Sequence, residues 1–195
     1  MKKLFKIVSQ TEAYQPLPGF EAVCSIYKGL PSNIKDRTQG TVKLYLSATA
    51  QNTIFNHIGW GKTTDTNGVE QGGIMLGQTY IEPETGIQFG HVEQVVCGYS
   101  GRGSSAYLDL GHDVWKEMLD EVDELLELEK TPLQIIGWYH THPNSLPVFM
   151  SGTDRNTQQF MFGQTWQYAI VLNPHKKIWR AFYGTNSDEC QGYFL

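Results

Sequence analysis

Cysteine is scarce in this chain. Cys24, Cys97 and Cys190 are the only three among 195 residues. They are odd in number, widely separated and free of any Cys-x-x-Cys spacing, which excludes both a disulfide framework and a structural zinc knuckle. Long apolar runs are missing too: no stretch approaches the ~20 residues that span a bilayer. The apolar run within Met1-Lys-Lys-Leu-Phe-Lys-Ile-Val-Ser-Gln is too short for a secretory signal. The expectation is a soluble, cytoplasmic protein with no membrane partner. A basic excess is also lacking. Lys and Arg number 15 against 20 Asp and Glu, a formal net charge of -5, so there is no electrostatic footing for nucleic acid. Without a glycine-rich phosphate loop or repeated βαβ units, a doubly wound nucleotide binder is disfavoured. No internal repeat or low-complexity segment occurs. What is present is 40% apolar and 12% aromatic residues, enough for one globular domain with a sizeable core.

The apolar pattern switches between strand and helix periods. Residues 42–46 alternate as a strand, Ser47 is a suitable N-cap, and residues 48–58 place Ile54, Phe55 and Ile58 at helical spacing. A polar loop over 59–68 leads to two core strands, 74–76 and 88–96, separated by a Pro83/Gly86 turn. The clearest helix covers 112–128, with an apolar stripe through Val114, Trp115, Met118 and Val122. Its acidic opposite face reads as a solvated surface without a function of its own. A strand over 133–142, a helix near 155–161 and a hairpin of 168–172 with 178–183 follow. Residues 1–40 are punctuated by Pro16, Pro18, Gly19, Gly29, Pro31 and Gly40. Their short apolar runs would either add strands to the main sheet or form an arm that binds a partner.

The chemistry concentrates in Gly137-Trp-Tyr-His140-Thr-His142-Pro143, followed after seven residues by Ser151-Gly-Thr-Asp154. On a strand, alternation puts His140 and His142 on the same face, one pleat apart. Both imidazoles could then reach one metal ion, and Asp154 could return on the next loop as a carboxylate ligand. Three protein ligands leave a fourth tetrahedral position open, the pattern of a catalytic rather than a structural zinc site. Trp138 shares this face and would stand either beside the metal or as an ordinary core residue. His57, His91, His112 and His175 lack partner spacing and read as surface or locally bonded residues.

The pattern H-x-H-P-x7-S-x-x-D resembles the signature of JAMM (MPN+) metalloproteases. Its flanking residues look closest to the proteasome-lid and signalosome deubiquitinases. The compact form also resembles JAMM proteins of bacterial ubiquitin-like conjugation operons. That family requires an upstream glutamate in a segment like E-x-x-G-x-x-x-G, and Glu70, Gly73 and Gly77 supply it, about seventy residues ahead of His140. The resemblance implies an α+β fold: a single MPN/JAMM domain over 41–184, with a curved mixed β-sheet flanked by helices. Residues 1–40 form a short N-terminal extension and 185–195 a short C-terminal tail. It further implies one zinc ion (Zn2+) per chain on His140, His142 and Asp154. Glu70 would act as general base, passing the attacking water's proton to the leaving amine. Ser151 would donate its hydroxyl to the developing oxyanion.

By the same resemblance, the substrate is the bond that follows the C-terminal tail of ubiquitin or a ubiquitin-like protein. In such enzymes an insertion after the second conserved strand pairs with that tail. Here Gly98, Tyr99, Ser100, Gly101, Arg102, Gly103, Ser104 and Ser105 occupy the corresponding place, with glycines that permit close backbone approach. The family's second insertion has only residues 185–195 to occupy, which points to a compact enzyme reading mainly the modifier's tail. E1/E2-like proteins of the same operon are further expected partners. Three rival readings compete. A non-catalytic MPN scaffold usually lacks metal ligands that are all present here. A zinc deaminase needs H-x-E with P-C-x-x-C, and neither occurs. A JAMM peptidase for a small sulfur-carrier protein or short peptides stays open, because the groove for the tail would be shared.

Overall fold

A computed structural model describes residues 17–18, 28–29, 42–62, 69–81, 87–99, 102–104, 107–109, 112–128 and 133–195. In chain order the elements are β1 (Leu17–Pro18), β2 (Lys28–Gly29), β3 (Lys43–Leu46), α1 (Ala48–Ile58), β4 (Gly72–Ile81) and β5 (Gln88–Gly98). Then come β6 (Arg102–Ser104), β7 (Tyr107–Asp109), α2 (His112–Leu128), β8 (Gln134–Thr141), α3 (Gly152–Met161), β9 (Tyr168–Asn173), β10 (Ile178–Tyr183) and β11 (Asp188–Phe194). Local chemistry sets several of these boundaries. Ser47 Oγ accepts from Ala50 N–H (3.1 Å) to start α1, and Gly59, at φ 64°, ends it in the left-handed conformation that glycine adopts without a Cβ penalty.

The mixed sheet, expected as a curved layer flanked by helices, instead closes on itself. Seven strands run β4-β5-β3-β11-β10-β9-β8, and β8 returns to pair antiparallel with β4, from Gly72↔His140 to Gly77↔Gln134. The two-residue strands β1 and β2 attach to β4 and β11. Two register shifts in the middle of β4 accompany the closure: one at Met75/Leu76 against β8, the other at Leu76/Gly77 against β5. Such bulges bend a strand and raise its local twist. At the β8 bulge Gly137 has φ 155°, and a Cβ there would lie 1.9 Å from Tyr168 O, so no other residue fits. Closure also recruits residues 185–195, read from sequence as a tail. Within them β11 pairs antiparallel with β10 and parallel with β3.

Two apolar layers follow from strand alternation. One cluster takes residues from each of the seven ring strands, among them Leu44, Met75, Val95, Tyr139, Ile170, Ala181 and Cys190. It is therefore the barrel interior, and α1 packs Ala50, Ile54 and Ile58 against it. The other joins the outward residues Ile74, Val96, Trp138, Val171 and Phe182 to α2 and to Met161 of α3. His140 shares its parity with Trp138, so the candidate ligands belong to the outer layer, beneath α3.

Candidate metal centre

Strand β8 delivers His140 within the paired segment and His142 one residue beyond it. His142 is still held by the barrel, since its N–H donates to Leu172 O (2.7 Å) on β9. Both histidines are buried. Asp154 arrives from α3, where it is the third helical residue. Ser151 N–H donates to Asp154 Oδ2 (2.7 Å) while Ser151 Oγ accepts from Asp154 N–H (3.2 Å), a reciprocal capping box. The cap fixes the carboxylate in place. Asp154 Oδ1 then lies 3.2 Å from His140 Nε2 and Oδ2 lies 3.4 Å from His142 Nε2, with the two Nε2 atoms 3.3 Å apart.

His142 Nδ1 is 2.7 Å from Pro147 O. A carbonyl can only accept, so this nitrogen carries the proton, and the neutral ring turns a bare Nε2 lone pair toward His140 and Asp154. Trp138 settles beside the ligands: its indole stacks on His140 (centroids 4.5 Å, interplanar 12°), and its Nε1–H donates to Gln158 Oε1 at 2.8 Å. Gln158, buried on α3, sends Nε2 toward Phe162 O (3.0 Å), Gln167 O (3.3 Å) and Gly184 O (3.4 Å). Phe149 rests edge-on against His142 (centroids 5.5 Å) yet stays 42% exposed.

Glu70 is reached through strand register. Gly72 pairs with His140, Thr141 N–H donates to Gln71 O (2.8 Å), and Gln71 N–H donates to Thr141 Oγ1 (2.8 Å). One further antiparallel step puts Glu70 across from His142. Glu70 is buried, and its charge acts on His142.

The electrostatics reflect this crowding. Burial works to raise the Asp154 carboxyl, but hydrogen bonds with His140 and His142, the His140 charge and the Ser151 bond outweigh it and hold Asp154 well below the usual carboxylate range. Burial lowers His140 despite the pull of Asp154. On His142 burial also works downward, but Asp154, the Pro147 carbonyl and Glu70 together raise it. One oxygen and two nitrogen donors, mutually within 4.8 Å, thus converge from three buried side chains. Converging lone pairs need a shared cation or proton between them. The set matches the nitrogen and carboxylate donors of zinc sites with three protein ligands.

Other residues singled out in the sequence lie elsewhere. Gly98 ends β5, and Tyr99 follows it, 80% exposed, with its ring 5.0 Å from His57. Arg102, Gly103 and Ser104 form β6, which pairs with β7 in a separate two-stranded hairpin. Ser100, Gly101 and Ser105 fall outside the described residues, as does nearly all of 1–40. Of the histidines read as surface or locally bonded, His57 is half-buried and bonded, and His91 is buried. His57 Nδ1 on α1 is 2.8 Å from Tyr139 Oη, and His91 lies on β5. The roles of Pro147, Gln158 and Phe149 left no periodic trace in the sequence, because each contact depends on how the loop after β8 folds back.

The family described as JAB1/Mov34/MPN/PAD-1 ubiquitin protease matches residues 103–164 of this chain, about a third of its length. That stretch contains His140, His142, Ser151 and Asp154, and it supports an MPN/JAMM-family domain. A search of curated proteins found no match. Among the described residues no helix is long and apolar enough to cross a membrane.

Proposed function

We propose that this chain is a zinc-dependent peptidase or isopeptidase of the JAMM type. It would cleave after the C-terminal tail of ubiquitin or a ubiquitin-like protein, either to mature the modifier or to remove it from a target. The observation that carries the reading is the convergence of His140 Nε2, His142 Nε2 and the Asp154 carboxylate, with Glu70 one antiparallel step away. His140, His142 and Asp154 would hold the metal. When bound, zinc supplies a Lewis acid and lowers the pKa of a water molecule toward neutrality.

The remaining roles belong to the chain. Glu70, across from His142, would take a proton from the attacking water and return it to the leaving amine. Ser151 Oγ accepts from Asp154 N–H, and its side chain also bonds the Asp154 carboxylate, so the hydroxyl would have to turn from that carboxylate to the oxygen of the scissile carbonyl as charge develops there. Trp138 and Phe149 cover the imidazoles and limit water around them. The segment from Gly98 to Ser105, which begins where β5 leaves the barrel, would run beside an extended substrate tail and add it as a strand. E1/E2-like proteins would supply the conjugates on which such an enzyme acts.

Elemental analysis of protein purified without added metal should find about one zinc per chain, lost in His140→Ala and Asp154→Ala. The activity test pairs the enzyme with a ubiquitin-like protein, fused or isopeptide-linked through its C-terminus, and with the bare tail peptide. Contacts with the folded modifier hold the scissile bond in place, so the peptide should react far more slowly. Equal rates would identify a general peptidase. No cleavage by a zinc-loaded chain would favour a scaffold.

A further inference from the structure

The turn between β9 and β10 is committed to the loop that follows His142. Asn173 closes β9 and is fully buried. Its Nδ2 donates to Asn144 O (3.1 Å) and Leu146 O (3.0 Å), while its Oδ1 accepts from the N–H groups of His175 (3.1 Å) and Lys176 (2.9 Å). Both amide hydrogens therefore go to the loop and the oxygen to the turn. Lys176 Nζ adds bonds to Ser145 O (2.7 Å) and Leu146 O (3.3 Å). Three consecutive carbonyls, at residues 144, 145 and 146, are thus gripped from one side. The next carbonyl, Pro147 O, is the one that His142 Nδ1–H meets at 2.7 Å.

This loop is not regular structure. Asn144 takes φ 58°, and Leu146 N–H reaches back to Pro143 O at 3.2 Å. A segment of that kind needs outside partners to keep a carbonyl in one place. We infer that Asn173, assisted by Lys176, is a positioning residue for the metal centre: it pins the 143–147 loop so that Pro147 O locks the His142 ring with Nε2 turned toward His140 and Asp154. The inference rests on the zinc reading of the site. The chemistry requires an amide. Aspartate in its place would still accept from His175 and Lys176 but would turn lone pairs on two carbonyls that need donors.

Two variants test this, Asn173→Asp and Lys176→Met, the second at an exposed side chain. Histidine-labelled protein without metal, observed by nitrogen NMR at pH about 9 where imidazoles are neutral, reports which ring nitrogen carries the proton. The parent should show His142 in a single Nδ1–H form. Asn173→Asp should show a mixture of tautomers, and Lys176→Met a smaller change in the same direction. In competition with a chromophoric chelator, zinc affinity should fall roughly 10–100-fold in Asn173→Asp, the usual consequence of losing a ligand's outer support. A merely structural residue would lower the melting temperature of the metal-free protein while leaving tautomer and affinity alone. That pattern in Asn173→Asp, or an unchanged ring in Lys176→Met should the first variant fail to fold, overturns the inference. If the parent takes up no zinc while the ring loosens in the variants, the zinc reading falls and the positioning role stands.

Discussion

Replacing Gln158 by leucine removes an acceptor and a two-hydrogen donor from the outer layer while nearly preserving volume. Gln158 is fully buried, and Trp138 Nε1–H is 2.8 Å from its Oε1. After the change the indole N–H and at least one of the carbonyls of Phe162, Gln167 and Gly184 are left without this partner. A buried polar group that loses its partner costs about 1–3 kcal/mol, so two such groups put the loss at about 2–6 kcal/mol. In a chain of this length 1 kcal/mol moves the melting temperature by roughly 2–4 °C, so a fall on the order of 4–24 °C is expected. The assay is thermal unfolding of metal-free protein followed by circular dichroism. Zinc affinity should fall as well, because Trp138 stacks on the His140 ring and would lose its tether. A leucine variant melting within about 2 °C of the parent would refute the argument that these groups depend on Gln158.

Further outcomes follow from the same contacts. Glu70→Gln should retain zinc and fold while losing roughly 10²–10⁴ in kcat, because an amide cannot accept the proton; full turnover in zinc-loaded variant protein removes Glu70 from the mechanism. Burial lowers His91 from the ordinary 6.5 to about 4, so the folded chain keeps it neutral where the unfolded chain binds a proton. Its stabilisation is therefore present above pH 6.5 and is lost as pH falls toward 4, by up to about 3 kcal/mol. Urea midpoints across that range should show the slope in the parent and a flatter one in His91→Leu. Gly137→Ala places a Cβ 1.9 Å from Tyr168 O and should cost more than about 3 kcal/mol or abolish soluble folding. A parent-like urea midpoint there would contradict the β8–β9 register.

Elements with strong local signals were legible in the sequence. The stripe through Val114, Trp115, Met118 and Val122 located α2 over 112–128 at both ends, and Ser47 marked the start of α1. β11 was hidden for a physical reason. It reads Asp-Glu-Cys-Gln-Gly-Tyr-Phe, with little apolar alternation, because Gly192 leaves space for the Trp179 indole, which a Cβ would meet at 2.2 Å. The helix expected near 155 begins at Gly152 instead. Ser151 and Asp154, read for their chemistry, also form the capping box that starts it.

The clustering of His140, His142 and Asp154 was readable because strand parity and a short loop are local properties, whereas the supports around them are not. Asn173 and Gln158 are polar residues with ordinary sequence surroundings, and only the barrel brings the first to the 143–147 loop and the second to Trp138. The β4–β8 pairing joins these levels. It spans about seventy residues of chain, converts a curved sheet into a ring, and its first pair is Gly72↔His140. Continuing that pairing toward Glu70 sets the carboxylate opposite His142, so the contact that closes the barrel also assembles the proposed base with the candidate metal ligands. A shift of one residue in this pairing would turn Glu70 to the opposite face of β4 and separate it from the histidines. The bulges at Met75/Leu76 and Leu76/Gly77, with Gly137 opposite the first, act against such a slip because they give the register fixed points that a uniform ladder lacks.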